Sequence, residues 1–207
     1  MPPVDARTRR GRRQLLLVLA VFFVPAAIAW TLFFSGWRPP ATSNHGELLD
    51  PPTRLEVPTM ERLAGPDDDN GAPTLRGKWT MLMTLEGDCD ADCETRLRET
   101  RQVRRALAQN ADRAQRILVL EAGAAPPDDG VLDRHRDLHV VTTESLEWAR
   151  APETDAPVAL SLVDSRGYQM MHYREPFEPA GMLEDLRHLL RVSNIDIERL
   201  DGLSDRD

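Results

Sequence analysis

Cysteine is almost absent: Cys89 and Cys93 are the only two in 207 residues. Two cysteines cannot staple a small fold together. The chain also has no need of that, because about 170 residues follow position 38, enough for a domain that buries its own core. Positive charge is scarce over the same stretch. Residues 1–38 carry six arginines against Asp5, a net of +5, which leaves 20 basic and 33 acidic residues, a net of −13, in the remainder. That balance argues against nucleic acid as a partner, since phosphate contacts require the opposite sign. It is compatible with metal cations or a basic patch on another protein. There is no internal repeat, and no serine-hydrolase, phosphate-loop or zinc-finger pattern.

Charge is missing altogether from Leu15 to Phe34, "LLLVLAVFFVPAAIAWTLFF". A helix rises 1.5 Å per residue, so this run matches a hydrocarbon core of about 30 Å. Pro25 is tolerated in such a helix. Trp30 and Trp37 fall at the far end, where an interfacial belt would lie. Arg7, Arg9, Arg10, Arg12 and Arg13 precede the run and should stay cytoplasmic, which sends everything after Trp37 across. A cleaved signal peptide with its site at Ala27–Ala29 is the competing reading. The apolar run outlasts a usual signal core, which favours an uncleaved signal-anchor at 15–37 behind a basic cytoplasmic segment, 1–14.

Residues 38–75 read as a linker and lead-in, with "RPPATSNHGELLDPPTRLEVP" rich in proline and "GPDDDNGAP" a polar turn cluster. "WTMLMTL" (79–85) then reads as a buried strand, and 91–109 as an amphipathic helix with Leu97, Val103 and Leu107 inward. "RILVLEA" (116–122) is a second strand, 128–136 a short helix and "LHVVTT" (138–143) a third strand. "PVALSLVD" (157–164) and "YQMMHYR" (168–174), joined by Ser-Arg-Gly, read as a hairpin. A last helix runs from about Pro179 to Val192, and an acidic tail follows at 193–207. This alternation implies an α/β fold, a central sheet covered on both faces. The cysteines sit where the first strand hands over to its helix, at the carboxyl edge where such sheets place their chemistry.

The order of elements, a cysteine pair opening the first helix and Pro157 before a hairpin resemble the thioredoxin superfamily. Cys-x-x-x-Cys after "GKWTMLMTLEGD" is similar to the Sco/SenC proteins, membrane-anchored copper chaperones and thiol–disulfide reductases that help build the copper centre of cytochrome c oxidase. The resemblance implies a thioredoxin-like domain at 76–192 with flanking helices. Cys89 and Cys93 would be its paired thiols and Pro157 its cis-proline, close to Cys89. It further implies thiol–disulfide exchange or Cu(I) delivery, a respiratory oxidase subunit or assembly factor as partner, and a bacterial inner-membrane location with the domain in the periplasm. Two departures stand out. Glu94 replaces the proline that follows the family's second cysteine, and Ala156 or Pro157 stands where a third copper ligand, a histidine, belongs. A TlpA-type reductase for cytochrome c maturation and a non-catalytic scaffold of the same fold are the alternative readings.

Other residues fit this frame in more than one way. At i and i+4 the cysteines would share a helix face, within reach of a disulfide or of one Cu(I), a soft ion that favours sulfur. Asp88, Asp90, Asp92 and Glu94 should raise the thiol pKa values against the helix N-terminus, or simply cap the helix. His172 lies in "MMHYR" and would point the same way as Met170 in a regular strand, making it a candidate metal ligand alongside Cys89 and Cys93. His135, His139 and His188 read as surface residues. His45 reads as a linker residue or a docking point.

The topology is directly testable. A reporter active only outside the cytoplasm should be active when fused after Val192. Silence there, with activity from a cytoplasmic reporter at the same position, would reverse the compartment.

Overall fold

The apolar runs 79–85, 114–121 and 138–143 become neighbouring parallel strands in the middle of a seven-stranded sheet. The computed structural model describes residues 6–35, 44–66, 71–149 and 158–204, in two units, Met1–Ser43 and Asn44–Asp207. Trp37 and Pro157 lie outside the described residues, and so does the 156–157 peptide bond.

The first unit contains helix α1 (Ala6–Phe34), with Pro25 inside it. Its segment Arg12–Leu32 has a mean hydropathy of 2.5 and no buried side chains. An apolar helix that no protein covers suits a membrane anchor. Trp30 packs on Phe34 with ring centroids 5.0 Å apart.

The second unit runs β1 (Glu47–Arg54), β2 (Glu61–Ala64), β3 (Trp79–Leu85), α2 (Ala91–Ala106), β4 (Ala114–Glu121), α3 (Asp129–Leu132), β5 (Leu138–Thr143), β6 (Val158–Val163), β7 (Tyr168–Tyr173) and α4 (Pro179–Ser204). The sheet order is β1-β7-β6-β3-β4-β5-β2, an α/β arrangement with flanking helices. Central β3 is buried at all seven positions, as a strand covered on both faces requires.

Both outer strands arise from the stretch read as linker. Pro51 and Pro52 suppress a strand signal, but an edge strand tolerates proline, and the β1–β7 register shifts between Leu48 and Thr53 to accommodate the pair. The last helix continues past Val192 to Ser204.

The sheet is covered on both faces, but its helices lie on one. The chain steps from β3 to β4 to β5 in a single direction, so two right-handed crossovers deliver α2 and α3 to the same side. There Cys93, Leu97, Val103, Val131, Met182 and Leu186 pack on Met81, Met83, Leu118 and Leu160. The opposite face holds Leu82, Ile117, Val119, Val141 and Val163, and is covered by Leu55, Leu75, Leu146 and Ala149 from connecting segments.

Two polar clusters lock the helical layer. Asp185 of α4 is 4% exposed. It accepts from the backbone N–H of His45 and Gly46 and from the Tyr173 hydroxyl, at 2.9–3.1 Å. His45 is therefore held on α4, with Nε2 3.1 Å from Glu184. Burial, and then the Asp185 charge, push the Tyr173 phenol far above its ordinary pKa.

Beneath α2, Arg116 of β4 is fully buried. It donates to the Leu97 carbonyl at 2.6 Å, to Thr100 Oγ1 at 3.2 Å and to the Asp137 carboxylate at 3.2 Å. Burial lowers its pKa to about 10 against the pull of Asp137, which leaves it charged at neutral pH. His135, read as a surface residue, is 3% exposed, with Nδ1 3.4 Å from Arg116 Nη2. His139, also read as surface, is 6% exposed, whereas His188 is exposed as read. An aromatic-sized imidazole between short apolar runs carries no sequence mark distinguishing a packed residue from a solvated one.

The buried imidazole makes stability depend on pH. Burial first, then Arg116 and Arg101, with Arg134 adding and Asp137 opposing, pull the His135 pKa down to about 4 from 6.5. The unfolded chain therefore binds the extra proton between about pH 6.5 and 4, and stability falls as pH drops through that window. The expected loss is on the order of 2 kcal/mol by denaturant titration, and it should be absent in His135→Gln. An identical loss in both proteins would assign the acid sensitivity elsewhere.

Candidate functional site

The site begins where β3 ends. Gly87 follows with φ of +95°, and nothing lies within 4 Å of where its Cβ would stand. Glycine is needed there for the left-handed turn rather than for space. Asp88 Oδ1 then accepts from the Ala125 N–H at 2.7 Å, which ties this loop to the one leaving β4. Asp90 is the N-cap of α2, accepting from the N–H groups of Asp92 and Cys93 at 3.0 and 3.1 Å. Two of the four acids flanking the cysteines thus hold the backbone.

Cys89 and Cys93 form a disulfide, with their Cα atoms 5.2 Å apart. Helix α2 starts at Ala91, so Cys89 lies just outside it and only Cys93 is in the first turn. The bridge spans the helix entrance rather than one helical face. The two sulfurs differ in access: Cys93 is fully buried in the core and Cys89 half-buried at its rim. In the reduced form Cys89 is the one a partner can reach.

Beside the bridge lies a groove of about 310 Å³ lined by Asp92, Thr95, Arg96, Glu99, Val158, Glu175 and Phe177. Val158 pairs with Leu85, so β6 begins at the edge from which the cysteine loop departs. Arg96, only 8% exposed, stacks 4.3 Å from the Phe177 centroid and is held by ion pairs with Glu99 and Glu175. Burial raises the Glu99 pKa against the pull of Arg96. The sequence reading took Leu97, Val103 and Leu107 of this helix as inward and did not single out Arg96. No local pattern marks it, since the burial of Thr100 one turn further on is itself a tertiary fact.

His172 is not brought to the cysteines. The β6–β7 register runs Leu162↔Met171 and then Val163↔Gln169, leaving Met170 as an extra, bulged residue. Met170 consequently packs on the α2 side, while His172 sits opposite Ser161 on the other face of the sheet. Its Nε2 is 3.1 Å from Glu47, whose carboxylate also meets Arg174 at 2.8 Å. The donor set at the bridge is two sulfurs. Among the described residues no group of three His, Cys, Asp or Glu side chains is placed to hold a metal. The three-ligand copper site implied by the resemblance does not fit these residues.

Fold and site together define a thioredoxin-like domain with a cysteine pair at the entrance of its first crossover helix. Residues 79–193 match the family model described as the transmembrane-like, thioredoxin-like C-terminal domain, and residues 5–36 match the transmembrane-like N-terminal domain. The chain belongs to this transmembrane-like, thioredoxin-like family. No curated protein matches it.

Solved structures similar to it include Bradyrhizobium japonicum ScoI with copper bound, at 20% identity over 55% of this chain and 86% of that one, TM-score 0.38. Yeast Sco1 with copper bound is similar at 15% identity over 56% and 80%, TM-score 0.46. A putative thiol:disulfide interchange protein DsbE from Chlorobium tepidum is similar at 14% over 66% and 97%, TM-score 0.43. Likeness at this level brings no ligand or partner to the present chain.

The difference in access predicts the order of reaction. After reduction, limiting iodoacetamide should modify Cys89 at least about tenfold faster than Cys93. Equal labelling would show that the first turn of α2 opens on reduction.

Proposed function

We propose that this chain is a membrane-anchored thiol–disulfide exchange protein whose domain works on the exported side, in the periplasm of a bacterial inner membrane. The observation that carries the reading is the asymmetric pair: a reachable Cys89 bridged to a buried Cys93 at a helix N-terminus. In the reducing direction, the Cys89 thiolate attacks one sulfur of a partner disulfide and releases the other as a thiol. The Cys93 thiol, losing its proton, then attacks Cys89 and frees the second partner thiol. Two protein thiols and one partner disulfide become one protein disulfide and two partner thiols. The helix N-terminus favours the thiolate in each step. Asp88 and Asp90 keep the loop and helix start in place while the bond changes hands. Pro157 would complete the site beside Cys89.

The likeness of 77–93 to the Sco/SenC pattern extends the proposal to cytochrome c oxidase assembly, with an oxidase subunit or assembly factor as partner. A TlpA-type reductase shares the chemistry and differs only in partner. Copper handling, if it accompanies exchange, rests on the two sulfurs without His172.

The full chain in detergent, once reduced, should reduce insulin disulfides. Cys89→Ser should slow this at least about 100-fold, and Cys93→Ser should accumulate a mixed disulfide at Cys89. Cu(I) titrated against a bicinchoninate competitor should bind only with both cysteines present and equally well in His172→Ala, with no tight Cu(II) site. A bridge that dithiothreitol cannot open would leave the non-catalytic scaffold. Tight Cu(II) binding lost in His172→Ala would restore a histidine-bearing copper site.

A further inference from the structure

A cleft of about 540 Å³ opens at the end of the sheet away from the cysteines. It is lined by Arg54 at the end of β1, Arg76 in the segment leading into β3, and Arg166 in the turn between β6 and β7. At this end of the ladder Arg54 lies opposite Tyr168 and Thr80 opposite Val163, whereas the cysteine loop departs beyond Leu85 and Val158. The length of β3, about 20 Å at roughly 3.3 Å per residue, separates the cleft from the sulfurs. Buried Leu55 and Leu75 give it apolar walls, and Glu56 is the one carboxylate lining it among the described residues. Within an acidic domain, three guanidiniums against one carboxylate reverse the local sign.

These guanidiniums are not spent on the fold. Arg54 and Arg76 are exposed, and their side chains have no protein partner among the described residues. Arg166 gives only Nε, to Asp164 Oδ2 at 3.1 Å, and its side chain is 79% exposed. Asp164 is itself buried and holds the turn, accepting from the N–H groups of Arg166 and Tyr168 at 2.9 and 2.8 Å. Its carboxylate therefore orients the Arg166 fork and leaves both terminal nitrogens unbonded.

The backbone narrows the ligand. Phosphate sites are commonly cradled by main-chain N–H groups. Here those groups are taken: Leu55 donates to the Gly167 carbonyl, Gly77 to Ser165, Gly167 to Asp164, and Arg76 to Thr74 Oγ1, at 2.8–3.1 Å. What remains is side-chain cations on three segments, around a space of ligand size in which one small oxyanion would fill little. Guanidinium forks take carboxylates two hydrogen bonds at a time. Several carboxylates carried along one chain suit that arrangement. Acids elsewhere on the domain are screened beyond about 8 Å at physiological salt, so the local sign decides. We propose that this cleft binds an acidic segment of a partner polypeptide, with its carboxylates on Arg54, Arg76 and Arg166. The site goes beyond the exchange reaction: it would hold a partner at the opposite end of the sheet and leave Cys89 free.

The test titrates the full chain in detergent, disulfide closed, by calorimetry. An acetylated and amidated hexapeptide of alternating glutamate and alanine should bind saturably. Its glutamine counterpart should bind at least about tenfold more weakly, and raising salt from about 50 to about 300 mM should weaken the glutamate peptide several-fold. Arg54→Gln/Arg76→Gln should weaken it about tenfold with the thermal midpoint unchanged, because neither side chain has an internal partner. Arg105→Gln/Arg191→Gln, which removes exposed cations of α2 and α4, should bind as the parent does. Inorganic phosphate and glycerol phosphate, standing for a free anion and a lipid headgroup, should each bind at least about tenfold more weakly than the peptide. No saturable binding, equal binding of the glutamine peptide or of either phosphate, equal loss in the two double variants, or a lowered midpoint in Arg54→Gln/Arg76→Gln would each overturn the proposal. The disulfide stays closed throughout, so this result and that of insulin reduction are independent.

Discussion

One buried cation sets the geometry on which the site depends. Removing Arg116 from water costs several kcal/mol, and only close partners offset such a penalty. It finds them in Asp137 and in α2 itself, at the Leu97 carbonyl and the Thr100 hydroxyl. Cys93, Leu97 and Thr100 follow one another at helical spacing, so all three lie along the inward stripe of α2. Holding Leu97 and Thr100 to β4 therefore fixes the rotation of the helix that buries Cys93. Arg104 adds a second clamp a turn later, donating to the Ala114 carbonyl at 2.9 Å. The asymmetry between the two sulfurs is thus built by a charge pair well below them.

Much of this was legible in the residues. "WTMLMTL" and "LHVVTT" coincide with β3 and β5, because strands buried on both faces write themselves as uninterrupted apolar runs. The helix start was readable from Asp90, and the cysteines' place at the carboxyl edge from the strand-to-helix order. The edge strands were not. Glu47–Arg54 carries two prolines, and its pairing with β7 depends on a register shift that no local pattern announces. Arg116 was equally hidden, since arginine at a strand start reads as solvated until Asp137, 21 positions away, is seen beside it. The helices' confinement to one face follows from strand order, a tertiary fact.

Acidity, which looked like a uniform property of the exported part, divides into separate uses. Asp88 and Asp90 accept backbone N–H groups around the cysteines, and Asp185 binds the start of the domain to α4. Glu99 and Glu175 fix Arg96 at the groove beside the bridge. Few of these carboxylates are merely solubilising, and Asp88 and Asp90 have their hydrogen bonds committed to the backbone beside the cysteines. A carboxylate already accepting two N–H groups beside a helix N-terminus is partly neutralised by them.

The β-bulge at Met170 decides which chemistry the sheet can support. In a strand, each residue inserted or removed moves everything beyond it to the opposite face. Had the ladder run regularly from Gln169, whose side chain bonds Ser161 on the face away from α2, with Met170 paired in its turn, the alternation would have turned His172 towards the cysteine side. With the bulge, Met171 and Tyr173 take the inward positions instead. Tyr173 reaches Asp185 at 3.0 Å and Met171 packs near Gly46, where a Cβ would stand 2.8 Å from its sulfur. The same insertion therefore joins β7 to α4 and the domain's first residues, and withdraws the hairpin imidazole from the sulfur pair. A core built around Asp185 and a three-ligand metal site at the bridge make opposite demands on the parity of β7, and the packing favours the core.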